Sequence, residues 1–198
     1  MRLYMKPLRL LGAGPSRHLN IHIKMDTGHL SIAFCNACES PGRKMLAKII
    51  SGGQTGADRA ALDAGMESGF PVGGCCPAGR MAEDGPIDLR YPLKEIEGGY
   101  ESRTKRNVED ADGTVVFYEG YLHGGTEKTV NFCKESAKPH TIIDIDLAGV
   151  DAAIHKILSF VDDYKIRVLN VAGPRQSDCP YIYRYVKNTI QRVIAKSR

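Results

Sequence analysis

From Met45 onward the chain alternates short apolar runs with stretches in which apolar residues return every three or four positions. Leu46 to Ile50 is an apolar run that ends in Ser-Gly-Gly. Ala57 to Ser68 then spaces Ala60, Ala61, Leu62, Ala64 and Met66 at helical intervals until Gly69 stops the pattern. This predicts a strand, a glycine turn and a helix.

Four more runs read as strands: Pro71 to Cys76, Thr114 to Phe117, Thr141 to Ile145 and Val168 to Val171. Helical periods cover Tyr100 to Asp110, Gly125 to Ala137, Asp151 to Tyr164 and Tyr181 to Ala195. Strands that alternate with helices need right-handed crossovers, which cover both faces of a parallel sheet. The expected fold is therefore α/β: a doubly wound, mostly parallel, five-stranded Rossmann-like sheet with helices on both faces. In chain numbering the expected strand order is 3-2-1-4-5. Ile154, Ile157, Leu158 and Val161 form an apolar stripe that suits either the core or a neighbouring subunit.

Residues 1–44 read as having neither period and are punctuated by Pro7, Gly12, Gly14, Pro15, Gly28, Pro41 and Gly42. They are expected to be an irregular extension, either upstream of the true start or a basic targeting segment. Asp26, Glu39 and the lack of an amphipathic helix weigh against targeting. Residues 45–198 are expected to form a single Rossmann-like ligand-binding domain.

Charge sharpens that division. Of 27 Lys/Arg and 23 Asp/Glu, residues 1–44 hold seven basic and two acidic side chains, so the remainder is close to neutral. The fold thus carries no global bias toward nucleic acid or an anionic membrane. No run reaches the ~18 apolar residues of a membrane span. The six cysteines, in a long chain with a βα pattern, are expected to be reduced in a cytoplasmic protein.

Open α/β sheets bind ligands beyond the carboxyl ends of their strands, which directs attention to three loops. The first is Ser51-Gly52-Gly53-Gln54-Thr55-Gly56-Ala57-Asp58-Arg59. Its glycines permit a tight turn, and the unpaired N–H groups of the next helix suit a phosphate. It lacks the Gly-Lys-Ser/Thr of a Walker loop, and an ordinary capped turn is the alternative. The second leads through His123-Gly124-Gly125-Thr126 to Thr129, with two threonines able to bond an oxyanion. The third, Asn170 to Ser177, sets Arg175 beside Gly173-Pro174, where a guanidinium fork could grip an anion or simply face solvent.

Other candidates are sparse. Arg103, Asn107 and Asp110 share a helix face, with Arg106 displaced from it, and such a stripe ordinarily faces solvent. Cys35-x-x-Cys38 is half a zinc site with no second half, so no metal site is expected. Cys75-Cys76 offers a thiolate or plain packing, and His123 an acid or base by loop position alone. No catalytic set emerges.

Five segments together resemble the putative molybdenum carrier family: Gly52-Gly53-Gln54-Thr55-Gly56-Ala57-Asp58-Arg59, Arg103-Thr104-x-x-Asn107-Val108, Asp112-Gly113-Thr114, Gly124-Gly125-Thr126 and Leu169 to Arg175. The likeness runs from Lys48 to the last helix. That family is similar in fold to the Rossmann-like group once labelled lysine decarboxylases, which includes phosphoribohydrolases. The resemblance implies a homo-oligomer that binds molybdenum cofactor and hands it to molybdoenzymes. On it, Gly52, Gly53, Gln54, Thr55, Gly56, Asp58 and Arg59 with Gly124, Gly125, Thr126 and Thr129 are expected to hold the phosphate. Arg103, Asn107, Gly173 and Arg175 are expected to contact the rest. Alternatives are a phosphoribohydrolase-like enzyme acting on a nucleoside monophosphate through Glu127, Glu119 or Asp58, and a nucleotide-sensing module without catalysis. The hydrolases' Pro-Gly-Gly-x-Gly-Thr-x-x-Glu loop is not matched by His123 to Thr129.

Overall fold

The computed structural model describes residues 46–198 in full, and the backbone alone at 21–26 and 29–34. Ile21–Asp26 (β1) and His29–Phe34 (β2) pair antiparallel, Ile21 opposite Phe34 and Asp26 opposite His29. This hairpin lies in the stretch expected to be irregular. Its signal is the alternation Ile21-His22-Ile23-Lys24-Met25-Asp26, a period of two that the surrounding prolines and glycines obscure. It belongs to the first of two units, Met1–Arg43 and Lys44–Arg198. Cys35 and Cys38 lie outside the described residues.

The second unit runs β3 (Lys48–Ile50), α1 (Ala57–Glu67), β4 (Val72–Gly73), β5 (Cys75–Pro77), β6 (Met81–Ala82), β7 (Gly85–Pro86), β8 (Lys94–Ile96) and α2 (Gly99–Asp110). It continues through β9 (Gly113–Tyr118), α3 (Gly124–Glu135), β10 (His140–Asp144), α4 (Val150–Asp163), β11 (Val168–Ala172) and α5 (Ile182–Lys196). Five strands form one parallel sheet in the order β10-β9-β11-β3-β4. This is the Rossmann-like α/β architecture, with α1, α4 and α5 packed together and α2 packed on α3.

The strand order corrects the expectation. Taken along the chain the five strands stand 4-3-5-1-2, because the last strand, β11, is central: Leu169 faces Ile49 on one side and Gly113 on the other. Counting from β11 instead restores 3-2-1-4-5. The spatial arrangement is the expected one with the chain entering it one strand later.

Apolar contacts concentrate on the α1/α4/α5 side. Ile154, Ile157 and Val161 are buried there with Ile182, Val186 and Ile190, so the α4 stripe faces the core.

The run Pro71 to Cys76 does not form one strand. It breaks at Gly74, whose φ of +126° and close approach to the Ser51 backbone turn the chain out of the sheet. β5 then pairs with β8, and β6 with β7, in an insertion that carries its own small core of Cys76, Ala82, Ile87, Tyr91 and Leu93 against Leu62. Buried Arg80 ties it together by donating to the carbonyls of Ile87, Asp88, Tyr91 and Leu93 at 2.8–3.2 Å. Among the described residues no helix is long and apolar enough to cross a membrane.

Candidate ligand-binding cleft

The crossover after β3 leads outward to β4 and the crossover after β9 leads outward to β10, in opposite directions from the central β11, so the winding reverses beside β11. A cavity of about 160 Å³ opens at the carboxyl ends of these strands. Its walls come from four elements: Gly52, Gln54 and Asp58 after β3; Tyr100, Arg103 and Asn107 on α2; Gly124, Gly125, Thr126 and Thr129 on α3; and Asn170, Gly173 and Arg175 at the end of β11.

Gly52 is a glycine because Arg103 lies against it. A Cβ there would collide with the guanidinium and stand 2.6 Å from Cδ. Arg103 Nη1 donates to Asp58 Oδ2 at 2.9 Å, and both side chains are nearly buried. Burial pushes the Asp58 carboxyl up from its ordinary value, opposed by Arg103 and by the Gln54 N–H at 3.3 Å. Asp58 thus sits in the first turn of α1 and takes up donors a bound anion would otherwise receive. Arg103 Nε is buried without any hydrogen-bond partner.

The start of α3, like that of α1, has no side-chain cap, and the first turn of any helix leaves its leading N–H groups unpaired; the acidic residue of the α3 first turn, Glu127, is exposed and does not line the cavity. Thr126 is 7% exposed, lines the cavity, and its hydroxyl bonds nothing in the protein. Thr129 instead returns its hydroxyl to the Gly125 carbonyl at 2.9 Å.

Other predicted residues have structural commitments. Asn107 accepts from the Cys75 N–H at 2.7 Å and donates to the Cys75 carbonyl at 3.0 Å, holding β5 to α2. Gly53, Thr55, Gly56 and Arg59 do not line the cleft. Gly53, with φ +78°, packs toward Leu93 and Ile87. Thr55, Gly56 and Arg59 border a separate cavity on the other side of the loop. There Arg59 pairs through both terminal nitrogens with Asp84, and Thr55 donates to Glu83. Arg175 is half exposed, 3.6 Å from Asp178 and 3.9 Å from Glu83.

The thiols show packing rather than reactivity. Cys75, Cys76, Cys133 and Cys179 are buried and unbridged, and burial pushes each thiol up. Among the described residues no cluster of His, Cys, Asp and Glu could hold a metal ion.

The family model of the circularly permutated YpsA SLOG family matches residues 49–194. The chain belongs to this family. The permutation in that description agrees with a sheet whose central strand comes last in the chain. A solved structure of a putative molybdenum carrier protein from Syntrophus aciditrophicus SB is 41% identical with a TM-score of 0.74, over 76% of this chain and 96% of that one. No curated protein matches.

Within this member of the family, the sequence pattern pointed to the glycine loops and the end of β11, and the family resemblance added Arg103, but both passed over three residues. Asn170 is a buried polar residue in an apolar strand, donating to Thr114 Oγ1 at 3.3 Å, and that interruption of the run was its signal. Tyr100 stands half exposed on the cleft wall with no distinguishing pattern. Glu83, in the insertion, carried no signal.

Proposed function

We propose that the cleft binds a phosphorylated small molecule, molybdenum cofactor being the ligand of choice, and carries it without converting it. The observation that carries this reading is the α3 N-terminus: an uncapped first turn beside the Thr126 hydroxyl, which bonds nothing in the protein, facing a cavity that Arg103 also lines. A phosphate seated there would receive backbone N–H groups and the Thr126 hydroxyl. Molybdenum enters from the 41% identical carrier protein, whose described role is the source of the assignment.

The phosphate cradle is narrower on this reading than the two glycine loops together. Asp58 makes the start of α1 a poor anion seat, so Gly52 and Asp58 serve by setting Arg103. Gly53, Thr55, Gly56 and Arg59 serve by holding the loop. Molybdoenzymes are the partners this implies, with a cytoplasmic homo-oligomer as the carrying form.

Of the carboxylates a hydrolase would use, Glu127 is exposed and off the cleft, Asp58 is paired with Arg103, and Glu119 borders a side pocket of about 20 Å³. Carriage is therefore favoured over cleavage. The test is to purify the chain, identify what it holds by native mass spectrometry and elemental analysis, and titrate it with molybdenum cofactor and with AMP. Saturable cofactor binding that displaces AMP is expected. Binding of AMP alone, or steady release of base and ribose phosphate, would overturn the carrier assignment.

A further inference from the structure

We infer that Glu83, which does not line the cleft, is a positioning residue that fixes the spacing of two cleft walls. The inference rests on the reading of the cleft as a phosphate site.

The two walls are the loop after β3 and the loop after β11, and they meet along a backbone seam. Ala57 N–H donates to the Pro174 carbonyl at 3.2 Å, and Gln176 N–H donates to Thr55 Oγ1 at 3.1 Å. Neither bond carries charge. Glu83 reaches into this seam from the β6–β7 turn and accepts from both sides at once. Thr55 Oγ1 donates to Oε1 from the first loop. Ser177 donates from the second, its Oγ to Oε2 at 2.6 Å and its N–H to Oε1 at 3.3 Å. Arg175 Nε adds a cation 3.9 Å from Oε2.

The turn that carries Glu83 is itself fastened to the glycine loop. Gln54 Oε1 accepts from the N–H groups of both Thr55 and Glu83, at 3.0 and 2.9 Å. Glu83 therefore belongs to the first wall by its backbone and binds the second by its carboxylate. Burial acts to push that carboxyl up, yet the donors from Ser177 and Thr55 hold it below its ordinary value, as a carboxylate bound by both loops requires.

The consequence concerns Arg175 and Gly173, which share the second wall and line the cleft. Without the carboxylate, the three side-chain and backbone donors of Thr55 and Ser177 lose their common acceptor. Charge-assisted bonds are the stronger ones, so the charged part of the seam is what would go. The walls would then separate on the far side of the loop from the ligand.

The experiment compares wild type with Glu83→Gln and Glu83→Ala, each first shown to be folded by circular dichroism and thermal melting. Inorganic phosphate is titrated calorimetrically with and without acetate, which matches the atoms removed by the alanine substitution. Phosphate binding about tenfold weaker in Glu83→Ala is expected, roughly the loss of one charged hydrogen bond. Glu83→Gln, which keeps one acceptor oxygen, should fall between. Acetate should strengthen phosphate binding by Glu83→Ala while leaving wild type unchanged or weaker, an opposition that general destabilisation would not produce.

Hydrogen exchange at Gln176 and Ser177 is measured alongside, without ligand. Faster exchange in Glu83→Ala, slowed again by acetate, supports the positioning role even if wild type takes no phosphate, in which case only the phosphate reading of the cleft fails. Unchanged exchange together with unchanged phosphate affinity would overturn the inference.

Discussion

The guanidinium of Arg103 lies against the backbone of Gly52, and its Nη1 bonds Asp58, in the first turn of α1, at 2.9 Å. The glycine, in the loop after β3, is thus a space requirement of a side chain on α2. Gly52→Ala should force Arg103 off the cleft wall. Phosphate affinity should fall about tenfold, the loss of one charge-assisted contact. Calorimetric titration of this variant checks it, and an unchanged affinity would mean that Arg103 does not meet the ligand.

Asp58 and Arg103 form a nearly buried pair, 6% and 11% exposed, which makes the pair sensitive to loss of one member. Asp58→Asn should destabilise the protein by about 3 kcal/mol, because it strands a buried guanidinium. Replacing both, as Asp58→Asn with Arg103→Met, should recover most of that loss while lowering phosphate affinity about tenfold, as loss of the same Arg103 contact does in Gly52→Ala. Urea denaturation of the two variants distinguishes a broken pair from a merely altered loop.

The order of elements was legible because each strand-loop-helix unit is local: Leu46 to Ile50, Ser-Gly-Gly and the alanine-rich helix follow one another without interruption. The position of β11 was not, since nothing in Val168 to Ala172 says which neighbours its ladder will find. Gly52, Thr126 and Arg175 were legible as candidates because glycine loops at strand ends are where an open sheet keeps its ligands, whereas Arg103, on a polar helix stripe that ordinarily faces solvent, entered only through the family resemblance. Thr55, Arg59 and Asn107 were legible as polar residues but not as structural ones. Their partners are Glu83, Asp84 and the Cys75 backbone, all in an insertion without periodicity.

The Arg59–Asp84 pair supplies a pH test of that insertion. The Arg59 hydrogen bonds hold the Asp84 carboxyl below its ordinary value of 3.8. A depressed carboxylate stabilises the fold above the unfolded value, and that stabilisation is lost as pH falls through the folded one. Asp84 is half exposed, so solvent screening limits the effect to under about 1 kcal/mol. Asp84→Asn should therefore melt lower than wild type at pH 7 but match it once the pH is well below 3.8, and added salt should narrow the gap at pH 7.

Glycine and threonine variants separate folding from binding at the cleft. Gly53→Val is a poor probe of ligand contact: its φ of +78° disfavours a β-branched residue, and its Cβ would stand 2.5 Å from Leu93 Cδ1. Weak binding by that variant would report a disturbed loop. Thr126→Val is the cleaner substitution, because the hydroxyl it removes bonds nothing in the free protein while the methyl groups keep the volume. Its melting temperature should equal or slightly exceed that of wild type. Its affinity for a phosphorylated ligand should drop about tenfold, as expected for one hydrogen bond to a charged acceptor. A stable Thr126→Val that binds as tightly as wild type would remove the α3 N-terminus as the phosphate seat. It would also move the search to the wall formed by Asn170 and Arg175.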